Sequence, residues 1–178
     1  MPIEAESREK SGYERIRFNL AESSISDVPL RELYVCAIKD AFSNRILGHL
    51  IDERMKASLA PAALTNAIGL RRPRGTIVHS DRGSQFRSAK FVRTLRTSGL
   101  VGSMGRTGPC ADNAAMESFF AVLRKNVLDR QCWTTREELR LAIVAWIERT
   151  YHRRRRQRAL GKLTPIGFET IHEVADAA

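Results

Sequence analysis

The chain has 178 residues, enough for one domain with a hydrophobic core, and 43% of them are apolar. Lysine plus arginine number 30 against 20 acidic residues, for a formal charge of +10 at pH 7. This composition excludes wholesale disorder and favours a polyanionic partner, either nucleic acid or an acidic membrane surface. No apolar run approaches membrane-spanning length, and the three cysteines lack metal-site spacing, which predicts reduced thiols in a cytoplasmic protein.

The N-terminal part of the chain predicts a disordered lead, a strand and a loop. Residues 1–12 are polar and charged, so they predict the lead. Apolar and polar residues alternate from Tyr13 to Leu20, as they do in a half-buried strand. Serines, Asp27 and Pro29 predict a loop over Ser23 to Arg31.

Two apolar runs around a turn then predict a hairpin, which a helix follows. The runs are Leu33 to Ile38 and Arg45 to Ile51. Asp40 lies between them and is predicted to be a turn residue. Good helix formers predict a helix over Met55 to Ala67, with Pro61 weakening its middle.

The central part of the chain alternates between predicted strands, helices and loops. Arg71 to Arg74 predicts a basic loop, and the β-branched run from Thr76 to Val78 predicts a buried strand. Amphipathic spacing predicts a helix over Ala89 to Thr97, which Gly99 ends. Leu100 to Met104 predicts a fifth strand, and the glycine- and proline-rich residues 105–110 predict a mobile loop.

The C-terminal part predicts two helices and a closing segment. Asp112 suits a helix N-cap before Ala114 to Val122, and Thr134 or Thr135 suits the next cap. Residues 13–170 are predicted to form the domain, and 171–178 a frayed tail. The second helix carries an apolar stripe, predicted to pack in the core, at Leu139, Ala142, Ile143, Trp146, Ile147 and Tyr151.

Two carboxylate residues, Asp81 and Glu117, lie at the two ends of the central stretch of the chain. Asp81 follows the predicted fourth strand in the sequence His-Ser-Asp-Arg-Gly-Ser-Gln-Phe, and Glu117 lies on a predicted helix in Asn-Ala-Ala-Met-Glu-Ser-Phe-Phe. Either residue alone is more often a cap or a solvated side chain. A strand-end aspartate and a helix glutamate can nevertheless converge on one divalent ion, because hard cations such as Mg²⁺ prefer carboxylate oxygens.

Both motifs at this spacing resemble the integrase core of bacterial insertion-sequence transposases, within the DDE superfamily that includes retroviral integrases. The resemblance extends from about Leu33 to about Glu169. It agrees with the predicted α/β class, a ribonuclease H-like fold in which helices flank a mixed five-stranded sheet. It implies metal-dependent DNA cleavage and strand transfer during transposition. The implied cofactors are two Mg²⁺ or Mn²⁺ ions about 4 Å apart, with Asp81 bridging both ions and Glu117 binding one.

The resemblance also implies partners and supporting residues. The partners are double-stranded DNA, at the element ends and the target, and further copies of the chain in an active homo-oligomer. His79 and Gln85 flank Asp81 and are predicted to support it. Residues predicted to contact DNA, with a solvated surface as the alternative, are Arg82, Asn113, Arg124, Arg153, Arg154, Arg155 and Arg156.

The first strand departs from the family's pattern, in which Trp precedes Asp-x-Thr. An ungapped register back from Leu33 places Glu22 at the aspartate position, and Asp27 in the predicted loop is the other candidate. The family's upstream helix-turn-helix also does not appear, which suggests a core from a truncated copy.

Two functions therefore stay open: a DDE transposase, or an impaired core that binds nucleic acid or an intact transposase. A ribonuclease H-type RNA nuclease is a third, from fold alone.

The charge of the chain predicts that duplex DNA binding weakens steeply as salt rises. The logarithm of the affinity should fall against the logarithm of the salt concentration by about 0.9 for each phosphate contacted. A titration across several salt concentrations measures this slope. An affinity that stays flat between low and physiological salt contradicts DNA as the partner.

Overall fold

The computed structural model describes residues 17–25, 33–104 and 114–176, with the backbone alone over 17–25 and 174–176. Within these ranges five strands form one sheet in the order β3-β2-β1-β4-β5. The antiparallel pairs are β1–β2 and β2–β3, and the parallel pairs are β1–β4 and β4–β5. The mixed α/β class predicted from the sequence is confirmed. The strands are β1 Arg17–Ile25, β2 Leu33–Asp40, β3 Ile46–Asp52, β4 Ile77–Ser80 and β5 Val101–Met104.

Helices cover both faces of this sheet. A π-helical segment, Trp146–Tyr151, continues directly from the fourth α-helix. No helix in the described ranges is both long and apolar enough to cross a membrane. The α-helices are α1 Leu59–Arg71, α2 Ala89–Thr97, α3 Ala114–Asn126, α4 Arg136–Ala145 and α5 Pro165–Asp176.

The sheet separates two hydrophobic clusters because side chains alternate along each strand. Leu33, Val35 and Ala37 of β2 pack with α3, α4 and the π-helical segment. Cys36 and Ile38, which alternate with them, pack with α1 and α2 on the other face. The apolar stripe of α4 and the π-helical segment lies in the first of these clusters, as predicted. A strand that is buried on both faces explains the continuous apolar run in the sequence.

A partly buried group of four charged residues joins the β2–β3 hairpin to α1 and α5. We call Asp40, Arg45, Arg71 and Glu169 the ionic cluster. Arg45 Nη1 lies 2.7 Å from Glu169 Oε2, and Arg71 pairs with Glu169 and lies 3.8 Å from Asp40 Oδ2. Asp40 also accepts a hydrogen bond from the Ser43 hydroxyl at 2.9 Å. Burial raises the pKa of Asp40, whereas the hydrogen bond from Ser43 and the positive charge of Arg71 lower it.

Two predictions about strand and helix boundaries were wrong. Residues 23–25, predicted as the start of a loop, belong instead to β1, which continues to Ile25 and pairs with the start of β2. The first helix begins at Leu59 rather than Met55, which places Pro61 in its first turn. Backbone N–H groups there have no partner within the helix, so the proline removes no helical hydrogen bond.

Two further differences concern the ends of helices. Arg71, predicted in a basic loop, is the last residue of α1 and belongs to the ionic cluster. The backbone of α5 continues to Asp176, whereas the end of the ordered domain was predicted at residue 170. The predictions for residues 1–16, 26–32 and 105–113 lie outside the described ranges.

His152 connects the end of the π-helical segment to β3. Its side chain is 1% exposed, and its Nε2 accepts a hydrogen bond from the Ile46 N–H at 3.1 Å. Its Nδ1 lies 3.3 Å from Glu148 Oε2. Both contacts suit the neutral ring with its proton on Nδ1. Burial lowers the pKa of His152 to about 4, against the opposing effect of Glu148.

This low pKa predicts how stability depends on pH. The unfolded chain, with an ordinary histidine pKa near 6.5, binds the proton first as pH falls from 6.5 towards 4. The free energy of unfolding should therefore decrease across that window. In His152→Gln the free energy should be lower at pH 7 by about 1–3 kcal/mol, and it should change less with pH. Urea unfolding at several pH values measures both effects. Equal pH dependence in the two proteins would contradict the assignment.

Candidate active site

Asp81 lies directly after β4 and is held by a local turn. Its Oδ1 accepts a hydrogen bond from the Gly83 N–H at 2.7 Å, which is the geometry of an Asx-turn. A Cβ atom at Gly83 would lie 2.9 Å from Asp81 Oδ1 and would also collide with the Gln85 side chain. A residue with a Cβ here would have to displace the Gln85 amide or the Asp81 carboxylate, because the Gln85 side chain lies over the turn that carries Asp81.

The backbone of β1 passes beside Asp81. The parallel pairing of β1 with β4 includes Leu20 opposite Ser80, so Ala21 and Glu22 continue past the same end of β4 as Asp81. Glu22 is also paired with Cys36 of β2. Its backbone thus lies near the turn of Asp81, although its side chain lies outside what is described. The other candidate, Asp27, is outside the described ranges.

Glu117 lies exposed in the first turn of α3, because this helix starts at Ala114. Met116, Phe119 and Leu123 bury the opposite side of α3 in the core. The backbone of α3 also lies against β1. Packing of α3 on the sheet therefore brings the Glu117 helix to the strand that carries Glu22.

Lys39 is a residue of this region that the sequence prediction missed. It is 6% exposed at the end of β2, and its Nζ donates a hydrogen bond to the Ala115 carbonyl oxygen at 3.0 Å. This bond attaches the first turn of α3 to the sheet, two residues before Glu117. The sequence did indicate this position. Lys39 continues the alternation of Leu33, Val35 and Ala37, so it lies on the face of β2 that packs against α3.

The structure also locates His79 and most of the predicted DNA-binding residues. His79 Nδ1 lies 3.2 Å from Ser103 Oγ, across the β4–β5 pair. Arg82 and Arg124 are exposed, and Arg124 lies seven residues after Glu117 on α3, a spacing that returns to the same side of a helix. The run from Arg153 to Arg156 is exposed, and Asn113 lies outside the described ranges.

Carboxylates on two different elements could hold a metal ion here. Asp81 and Glu117 supply hard oxygen ligands of the kind that Mg²⁺ prefers. Among the described side chains, no group of three or more His, Cys, Asp or Glu residues is arranged to hold a metal. The third ligand of a two-metal site would therefore have to come from elsewhere, and Glu22 on β1 is the candidate with a described backbone.

The arrangement defines a class of protein: a mixed α/β domain with one acidic residue on a central strand, one just past the end of the parallel strand beside it, and one on an adjacent helix. Two family models, both described as Integrase core domain, match residues 23–110 and 98–165. The chain belongs to the integrase core domain family. The family resemblance stated from the sequence motifs is thereby confirmed.

Bacterial transposases are similar over most of this chain. The transposase for insertion sequence element IS629 of Shigella sonnei is 37% identical over 140 residues, covering 79% of this chain and 47% of the relative. The transposase InsF for insertion sequence IS3A of Escherichia coli K12 is 40% identical over 138 residues, covering 77% and 48%. The chain therefore spans about half the length of these relatives.

Solved retroviral structures share the fold. The catalytic core domain of BIV integrase matches with a TM-score of 0.63 at 16% identity, covering 89% of this chain and 97% of that one. The HTLV-2 integrase catalytic core domain, solved in complex with magnesium, matches with a TM-score of 0.63 at 14% identity, covering 88% and 97%. At these identities the likeness establishes the fold alone.

The Lys39 contact predicts a local change in α3. In Lys39→Met the first turn should loosen, because a hydrogen bond from a charged group contributes about 1.5–3 kcal/mol. Amide hydrogen exchange at Ser118 and Phe119 should accelerate by roughly tenfold or more. Exchange measured by NMR tests this, with the exposed Lys125→Met at the far end of α3 as a matched control. Unchanged exchange in Lys39→Met, or equal acceleration in Lys125→Met, would contradict the role of Lys39.

Proposed function

We propose that the chain is the catalytic core of a transposase that cleaves DNA strands and joins them to a target during transposition. Asp81, Glu117 and Glu22 would hold two Mg²⁺ or Mn²⁺ ions in this core. The observation that carries the proposal is the parallel register of β1 and β4, which brings the backbone of Glu22 beside the turn of Asp81. The integrase core family and the transposase names of the bacterial relatives support the same reaction.

The fold and the neighbours support the finer parts of this proposal. We place the domain in the ribonuclease H-like class, on the strand order and the helices that cover both faces of the sheet. The magnesium complex of the HTLV-2 integrase core supports the choice of metal, and its description as a trimeric form supports a homo-oligomer. A cytoplasmic location stays a prediction, supported by the bacterial origin of the relatives.

The chain's own residues would position the reacting groups. Bound metal ions would activate a water or 3′-hydroxyl nucleophile and stabilise the leaving oxygen. The Asx-turn with Gly83 restricts the Asp81 carboxylate, and Lys39 restricts the first turn of the Glu117 helix. Arg124 and Arg82 would bind phosphates close to the scissile bond. The exposed run from Arg153 to Arg156 would bind phosphates farther along the DNA.

Glu22 is expected to limit the rate of this core. Its side chain is one methylene longer than the aspartate of the family pattern. A displacement of about 1 Å in a catalytic group can reduce the rate on the order of a hundredfold. The chain alone is therefore expected to transfer strands weakly.

An assay on pre-cut element ends with Mg²⁺ and Mn²⁺ tests the proposed function. Asp81→Asn and Glu117→Gln should reduce strand transfer on the order of a hundredfold or more, because each removes a charged metal ligand at nearly constant shape. Glu22→Asp should increase it, since it restores the shorter side chain. Glu137→Gln, at an exposed carboxylate in the first turn of α4, is the matched control and should change little.

Two results would contradict this assignment. One is full activity in Asp81→Asn, and the other is a loss of activity in Glu22→Asp. DNA binding without turnover in any of these proteins, with either metal, would instead favour a core that binds nucleic acid without catalysis.

A further inference from the structure

The solvent-facing side of α2 carries only basic charge. Phe91 and Leu95 turn inward to the core. Lys90, Arg93 and Arg96 lie three residues apart along the exposed side of the helix. We call these three residues the α2 face. They were not among the DNA-binding residues predicted from the sequence.

Basic residues continue beyond both ends of α2. Arg87 is exposed just before the helix starts. Arg74 is exposed near its other end, where the Gly75 N–H donates a hydrogen bond to the Gly99 carbonyl at 3.1 Å. In the sequence, Asp81 is the only acidic residue between Arg54 and Met104. The basic surface therefore extends along the helix and over the segments beside it.

Within the described ranges, the charges of the α2 face form no ion pairs with carboxylates. No ion pair among the described residues involves Lys90, Arg93 or Arg96, whereas Arg71 and Arg136 are both paired. Like charges at a spacing of three or four residues destabilise a helix by about 0.2–0.5 kcal/mol per pair. This repulsion would be relieved by an external polyanion, which is the type of partner that such a surface fits.

The α2 face also has a fixed position relative to Asp81. A 3₁₀ turn, Ser84–Arg87, leads from the Asp81 turn to α2. Ser88 caps the helix by accepting a hydrogen bond from the Phe91 N–H at 3.3 Å. Phe86 of the 3₁₀ turn and Phe91 of α2 pack edge to face, with ring centroids 5.6 Å apart. The basic helix therefore starts beside the candidate active site and is rigidly attached to it.

We propose that the α2 face binds the phosphate backbone of duplex DNA that runs past the Asp81 site. The inference rests on the proposed function for the identity of the polyanion. Nine helical residues span about 13 Å, and duplex DNA carries one charge per roughly 1.7 Å of its axis. Several phosphates can thus lie along this helix. An acidic membrane fits less well, because the exposed positions of α2 include no aromatic or large aliphatic side chain to enter a bilayer.

Neutralising the α2 face tests this inference. The triple variant Lys90→Gln, Arg93→Gln, Arg96→Gln removes three positive charges and keeps good helix formers. The matched control Arg130→Gln, Arg140→Gln, Arg149→Gln removes three charges from exposed positions after α3, on α4 and in the π-helical segment. Affinity for a random duplex is measured for the full chain over a range of salt, without divalent ions, so that binding is separated from cleavage.

The expected result is a smaller salt slope in the α2 triple variant, by about 0.9 for each phosphate that the helix no longer binds. Its affinity should fall on the order of tenfold or more, with a smaller decrease in the control. The single variant Arg93→Gln should lower the slope by about 0.9, and it keeps the test decisive if the triple variant folds poorly. Thermal melting by circular dichroism checks folding in each variant.

Three results would overturn the inference. The first is an equal decrease in affinity in the triple variant and its control, because then only net charge matters. The second is unchanged affinity in both variants. The third is competition by polyglutamate or anionic vesicles that matches duplex DNA at equal charge.

A chain that binds DNA through α2 but shows no metal-dependent activity would refute the proposed function alone. A chain that cuts DNA while the triple variant binds like its control would refute the inference alone.

Discussion

The parallel pairing of β1 with β4 is the constraint on which the candidate site depends. It joins two segments that are distant in the chain and sets the end of β4 beside the middle of β1, with Leu20 opposite Ser80. Parallel strands cannot be joined by a tight turn, so a long connection must intervene. Here that connection contains β2, β3 and α1. The hairpin and the helix therefore have to be accommodated between the two strands that carry Glu22 and Asp81.

Elements with a strong local pattern were predicted well. The helix over Ala89 to Thr97 was predicted with the boundaries that the structure has, because its amphipathic spacing ends at a glycine. The turn of Asp81 and Gly83 also depends on residues close in the chain. The end of β1 was not predictable in this way, since its serines become part of a strand only by pairing with β2. Local composition alone favoured a loop there.

Contacts between distant residues explain the other differences. Arg71 was predicted in a basic loop, yet it pairs with Glu169, which lies 98 residues further along the chain. Lys39 binds the Ala115 carbonyl, 76 residues away. Neither pairing leaves a local pattern that identifies the partner. The carboxylates of the candidate site could be named from their motifs, whereas the residues that hold their supporting elements in place required the fold.

The π-helical segment restricts where residues can be inserted into or deleted from the chain. The His152 N–H donates to the Ile147 carbonyl at 3.0 Å, a bond over five residues where an α-helix spans four. This wider turn lets Trp146, Ile147, Tyr151 and His152 all be buried. Deleting one residue here would restore ordinary α-helical phase and rotate everything that follows by about 100°. His152 would then turn away from the Ile46 N–H, whose hydrogen bond it accepts. The number of residues in this segment is therefore constrained as strictly as their chemical identity.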